Sequence, residues 1–408
     1  MKKLITTILA ITFLFSSCSF ADNRNKKAPS ESKPDKQNQE VKVIAAWIYY
    51  NEIEELVKSS NTEDEFTQKV ENTIDKLIEF SVNTVILHIR AFDDAFYVSK
   101  LFPVSKYCSD ENGKLKFDVL STFVSVCHKK CVKVWGWVNP YRINKFDDTS
   151  NIQKGYFQFE ALNSENKELL IHSENGVYYN PADETVKKHI VDGIREILES
   201  YDVDGIHFDD YFYPRTDKDF DKNYYAQYKK EGGNLKLNDF RRENVNSLIL
   251  SVCSLTRKYG KVFSISPVSN IYTNVNKMYA DVKLWATSDS YVDFIIPQIY
   301  FGFQNNVQPF EQTLKKWIDL TGDSDKLLIG LALYKSGTTE SYSIDGKDEW
   351  KSRNVISKEI EYILNNYKNV GFAYYSASFL YSPGDEGISE EIGNIKNVLK
   401  QELPSSVT

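Results

Sequence analysis

Two adjacent carboxylates, Asp209 and Asp210, stand in the run DGIHFDDYFYP that covers residues 204–214. They follow a short apolar stretch and precede an aromatic cluster ending at Pro214. Side chains alternate along a strand, so His207, Asp209 and Tyr211 share one face. Asp210 joins them only where the strand has turned into its loop. Two carboxyl groups this close repel, which favours a proton on one of them near neutral pH. A proton-holding acid beside an ionised partner is the equipment of glycosidic bond cleavage. The bland alternative is a strand end whose acids cap the next helix or bind lysine.

Other residues of the same kind recur at the ends of apolar runs. VNPYR brings Asn139, which can bond a sugar hydroxyl or acetamido group, and Arg142, which can fix a carboxylate. LHIRAFDDAFY places His88 and Arg90 on one strand face, with Asp94 in the loop beyond. A buried Arg90 needs a carboxylate partner, and Asp94 or Asp209 can supply it. Gln298 and Tyr300 share a face in PQIY, and Tyr334 ends a later run. Trp47 and Trp137 are either sugar platforms or core. Acyl transfer is disfavoured, because the chain has five histidines and no nucleophile elbow. Cys127 and Cys131 flank His128 at helical spacing, but no second ligand pair accompanies them, so they read as buried small side chains rather than a metal site. Neither a metal nor a cofactor is predicted, and a disulfide from Cys108 is not deducible.

Eight strand candidates must carry these groups. They begin at Lys42, Thr84, Lys133, Gly205, Val262, Phe294, Lys326 and Gly371, and most are near-continuously apolar, as strands of a covered parallel sheet should be. Amphipathic stretches lie between them. One buries Phe66, Val70, Ile74, Leu77 and Ile78, and another Val186, Ile190, Ile194, Ile197 and Leu198. Further helices are expected near 118–130, 239–258, 309–319, 354–366 and 388–400, with the weakest pattern around 278–289. This alternation predicts an α/β fold, a single-domain (β/α)8 TIM barrel over residues 41–402. An open doubly wound sheet is the alternative, but no glycine-rich phosphate loop follows any strand. In a barrel, catalytic residues sit at the C-terminal strand ends, which is where the polar residues above fall.

The N-terminus, MKKLITTILAITFLFSSCSF, has a basic start, an apolar stretch too short for a comfortable membrane span, and small residues before Cys18. It reads as a lipoprotein signal peptide over residues 1–18 with Cys18 lipidated, followed by a disordered linker over 19–40 poor in apolar residues. The expected location is extracytoplasmic, on a bacterial membrane through the lipid alone. With a net charge of −7 and no concentrated basic stripe, nucleic acid is not an expected partner. A cleft rich in aromatic faces, from 26 Tyr and 24 Phe, suits a glycan.

LHIRAFDDAFY, WVNPYR, YNPADETVKKHIVDGIREILESYDVDGIHFDDYFYP, RRENVNSLI, SISPVSNI, YADVKLWA and DFIIPQIYFGF together resemble glycosyl hydrolase-like family 10, from about Val43 to Leu380. The resemblance implies a TIM-barrel glycoside hydrolase, often secreted or lipid-anchored, acting on peptidoglycan strands that lack stem peptides. The family's motif positions fall on Arg90, Asp94, Asn139, Arg142, His207, Asp209, Asp210, Gln298 and Tyr300. Ala91 and Asp93 depart from the family's common Pro and Gly. DGIHFD also looks like the fourth-strand signature of chitinases, but Tyr211 stands where their acid glutamate would be. It is similar, too, to the aspartate pair of barrel N-acetylglucosaminidases, where one Asp orients the substrate acetamido group and the other is general acid. That substrate-assisted route is the favoured expectation. The competing one uses Asp209 as nucleophile or base, with Glu52 or Asp94 as acid. A non-catalytic glycan-binding lipoprotein on the same scaffold is the rival outside enzymology. A solute-binding lipoprotein would need two lobes instead of one series of strand-helix units.

Overall fold

The computed structural model describes residues 42–403 apart from 151, 174, 211, 215–218, 342 and 385. The expected signal peptide, Cys18 and the linker lie outside the described residues, as does Tyr211. In chain order the strands are β1 (Ile44–Ile48), β2 (Thr84–Arg90), β3 (Lys133–Val138), β4 (Arg142–Asn144), β5 (Leu170–Ser173), β6 (Gly176–Tyr179), β7 (Gly205–Phe208), β8 (Val262–Ile265), β9 (Phe294–Ile295), β10 (Leu328–Ala332) and β11 (Gly371–Tyr375). Eight of them form one parallel sheet in the order β10-β11-β1-β2-β3-β7-β8-β9. Parallel bridges Ile295–Leu327 and Gln298–Gly330 join its two edges, so the sheet curls into a TIM barrel. Each of the eight apolar runs read from the sequence is a barrel strand.

The barrel divides its apolar residues between two cores. Ala45, Ile86, Trp135, Ile296, Leu328 and Ala373 fill the interior, while Val85, Leu87, Ile89, Ile206, Phe208 and Ile265 face the surrounding helices. Burial on both faces is why these strands read as continuous rather than alternating. The helix Glu63–Ile78 starts where the Thr62 side chain accepts from the Glu65 amide, and it buries Phe66, Val70, Ile74 and Leu77. Ile78, expected on the same stripe, is exposed. The helix Glu184–Ser200 is capped by Asp183 and buries Val186, Ile190, Ile194, Ile197 and Leu198 as its periodicity requires. The helix Val119–Lys129 ends before Cys131, which is exposed at φ 58°, so only Cys127 of that pair is a buried helical side chain. One part was not read from sequence. Between β3 and β7 the chain builds a small antiparallel sheet in the order β4-β6-β5, which follows the C-terminal end of β3.

Away from the mouth, the helices Val355–Asn366 and Glu386–Glu402 pack together. Glu359 is fully buried there, and among the described residues neither of its carboxyl oxygens has a hydrogen-bond partner. Burial, then the charges of Glu391 and Glu349, push its carboxyl well above the usual 4.5, against the opposite pull of Lys335. The folded protein therefore holds this proton at pH values where the unfolded chain has released it. The resulting stability is complete below the unfolded value and is lost as pH rises through the folded one. Glu359→Gln, which cannot ionise, is expected to unfold at higher urea than the wild type at about pH 8, and at the same urea near pH 4. A parallel pH dependence in the two proteins would count against this assignment.

Candidate active site

The residues of the mouth are set by register. Neighbouring strands place His88 beside Trp137, Trp137 beside His207, and His207 beside Ser264. His207 is the floor of the site. Trp47 Nε1 donates to its Nε2 at 3.2 Å, and an indole N–H can only donate. Nε2 therefore accepts, also from Ser266 Oγ at 3.0 Å, and the proton sits on Nδ1, which bonds Ser264 Oγ at 2.8 Å. Burial pushes this imidazole down to about 3, so it is neutral at any working pH. Gln298 extends the layer, its Nε2 donating to the Ser266 carbonyl at 2.9 Å.

Above that floor stand the carboxylates. β7 ends at Phe208, and Asp209, 3% exposed, projects into the mouth, where Trp137 Nε1 donates to its Oδ2 at 3.2 Å. Asp210, half-buried, follows where the strand has ended. The charges of both aspartates reach Tyr178 on β6 and Tyr300 beyond β9. Both tyrosine hydroxyls are raised, by burial first and by these carboxylates among the smaller causes. Trp137 is itself held by His88, whose ring stacks on it at 3.7 Å and 10°. His88 Nε2 pairs with Asn139 Oδ1 at 3.2 Å, and burial holds its pKa well below the usual imidazole range. Asn139 Nδ2 bonds no described residue, which leaves it a donor for a substrate oxygen.

Both tryptophans serve the site as hydrogen-bond donors. Trp47 is 2% exposed and packed edge-on by His207 and Tyr375, so it is no sugar platform. One face of Trp137 is covered by His88. The open aromatic wall is made of tyrosines instead. Tyr300 and Tyr375 stack at 5.8 Å, and Tyr334, 36% exposed, meets both edge-on at 6.1 and 6.0 Å. Tyr49 joins at 6.3 Å from Tyr375. On the opposite side Arg142 lies on β4 in register with Tyr178, its guanidinium 5.1 Å from the Phe92 ring centre.

Three expectations change. Arg90 does not share the mouth with His88, because the β2–β3 register shifts between His88 and Arg90, a bulge that turns the strand's last side chain over. Arg90 lies outside the barrel, 4.2 Å over the Phe102 ring and against Gly193, where a Cβ would come within 2.2 Å of the guanidinium. Asp94 is a loop anchor, its Oδ1 accepting from the Ala91 and Phe92 amides at 3.2 and 2.9 Å. Burial pushes its carboxyl up, against a bond from Ser105. Beside it Asp93 adopts φ 55°, the left-handed conformation that glycine favours, and is held by Tyr179 Oη at 2.5 Å and His189 Nε2 at 3.1 Å. Glu52 is buried at the start of the helix Tyr50–Lys58. Its oxygens accept from the Tyr49 amide at 3.0 Å, Ser376 Oγ at 2.7 Å and the Ser378 amide at 2.8 Å, which ties the end of β1 to the end of β11. Among the described residues no His, Cys, Asp and Glu side chains group as a metal site.

A parallel barrel with paired carboxylates and an aromatic wall at its C-terminal mouth is the layout of barrel glycoside hydrolases. The chain belongs to the family described as Glycosyl hydrolase-like 10, whose model matches residues 42–348. It is 28% identical over 320 residues to the glycosyl hydrolase YngK of Bacillus subtilis (strain 168), covering 71% of this chain and 60% of that protein. It is 27% identical over 294 residues to the glycosyl hydrolase DigH of Escherichia coli (strain K12), covering 66% of each. The chain thus spans less than two thirds of the length of these relatives. Its fold is like that of the glycoside hydrolase domain of PgaB (BpsB) from Bordetella bronchiseptica. That match has a TM-score of 0.55 at 11% identity and covers 86% of this chain and 98% of that one. The Ostrinia furnacalis Group IV chitinase matches with a TM-score of 0.50 at 12% identity over 90% of this chain and all of that one. These distant likenesses concern the fold.

Proposed function

We propose that the protein hydrolyses glycosidic bonds in an N-acetylhexosamine-containing glycan, with peptide-free peptidoglycan strands as substrate. The observation that carries this reading is the Asp209–Asp210 pair at the barrel mouth, between Tyr178 and the tyrosine wall. Asp209 already accepts the Trp137 N–H and is suited to accept a second, from the substrate acetamido group. That contact turns the acetamido oxygen onto the anomeric carbon. As the new C–O bond forms, the glycosidic bond breaks and Asp210 delivers its proton to the departing oxygen. Water then attacks the anomeric carbon, Asp210 takes its proton, and the acetamido group is restored. Engagement of Glu52 and Asp94 with backbone amides supports this route over one using either as acid.

Release of reducing ends from peptide-free strands by the wild type is the expected result. A wild type that binds strands without cleaving them would put the non-catalytic glycan-binding reading in its place. The proposed cellular setting is the outer surface of a bacterial membrane, reached through lipid on Cys18. Cys18→Ala is expected to move the protein from the membrane to the soluble fraction, and its retention on the membrane would refute the anchor.

A further inference from the structure

Beside the mouth, the loop after β2, strand β4 and the helix Phe157–Leu162 enclose a pocket of about 230 Å³. At ~30 Å³ per water this is room for roughly eight waters, the scale of a sugar substituent with part of its ring. Phe92, Val104, Ile143 and Ile152 give it apolar walls, and Gln158 lines it from within. Gln158 is 4% exposed, and its amide makes no hydrogen bond to any described residue. Neither amide atom is sealed from solvent, so water or a ligand in the pocket can pair with it. The pocket shares its wall with the catalytic cleft. Phe92 packs 5.3 Å from Tyr50 and under Arg142, Tyr50 meets His88 at 5.6 Å, and His88 stacks on the tryptophan that holds Asp209.

We infer that this pocket is a subsite for a sugar unit removed from the scissile bond, and that it seats the acetamido group of an N-acetylhexosamine on Gln158. An acetamido group answers both halves of a glutamine amide, offering a carbonyl to its N–H and an N–H to its carbonyl. Its methyl group suits the Phe92 and Ile143 walls. A hydroxyl would answer less of this set. The inference rests on the glycan reading given above and adds a determinant of chain length to it.

Two variants test it. Gln158→Leu removes the amide at nearly constant volume. Gln153→Trp, at an exposed position on the pocket lip, fills the space without touching the core and carries the test where the first fails to fold. Kinetics are read on length-fractionated peptide-free glycan strands and on a short aryl N-acetylglucosaminide. Loss of two hydrogen bonds in Gln158→Leu, and exclusion of the sugar in Gln153→Trp, are each expected to raise KM for long strands by about tenfold, with kcat kept and the short substrate unaffected. Unchanged KM on long strands in both variants would overturn the subsite and leave the glycan reading standing. If the wild type binds strands without turnover, calorimetry should show the same loss in Kd, and equal affinities would again overturn the subsite. Absence of strand binding by the wild type would overturn both.

Discussion

Asp209→Asn is expected to lower kcat on peptide-free glycan strands by about 10²- to 10⁴-fold while moving KM far less. The substitution keeps the shape of the side chain, and an amide oxygen can still accept the Trp137 N–H, so the fold and the His88–Trp137 stack should persist. What disappears is the charge that holds the acetamido group against the anomeric carbon and stabilises the cation developing beside it. The loss is therefore expected to fall on the transition state more than on the ground-state complex. An unchanged melting temperature shows that chemistry, not folding, has been removed. A variant that cleaves strands at the wild-type rate would sink the carboxylate mechanism outright.

The contrast between Asp209 and Arg90 shows where sequence reasoning succeeds and where it stops. Alternation along a strand is reliable while the ladder is regular. Counting from the apolar residues of β7 correctly turns His207 inward and carries Asp209 to the mouth. The same count applied to β2 puts Arg90 beside His88, and one unpaired residue in the ladder reverses it. Nothing in LHIRAFDDAFY announces that bulge, because Ile89 is apolar and fits the outer core in either register. The eight barrel strands were legible because burial on both faces makes them continuous apolar runs. β4, β5 and β6 were not, since their short segments mix polar and aromatic residues and resemble loop. With them went Tyr178, which approaches the carboxylates from a sheet the periodicity does not reveal. The tryptophans illustrate a second limit. A type-based argument leaves them as platforms or core, and the structure buries both in the barrel interior with their N–H groups spent on His207 and Asp209. Asp93 shows the reverse case. A residue that looks like a departure at a glycine position adopts the conformation glycine would, with Tyr179 and His189 bonded to its carboxylate.

Asp210→Asn divides the roles of the two acids. Asp210 is the less buried of the pair, and in the proposed mechanism it gives a proton to the departing oxygen. A sugar leaves as a poor alkoxide unless that proton arrives, and its loss should lower kcat on glycan strands by about 10²- to 10⁴-fold. A nitrophenyl leaving group needs no such help, so the same variant should lose less than about tenfold on a nitrophenyl N-acetylglucosaminide during the bond-breaking step. Asp209→Asn, by contrast, should fail on both substrates, because orienting the acetamido group matters whatever departs. The alkaline limb of the kcat/KM profile, which reports the proton-holding acid of the unliganded enzyme, should vanish in Asp210→Asn and persist in the wild type. Equal losses of the Asp210→Asn protein on the two substrates would assign the proton donor to another group. The mirrored pattern, with the aryl glycoside spared by Asp209→Asn, would exchange the two aspartates, and Trp137 would then be holding the acid instead of the orienting base.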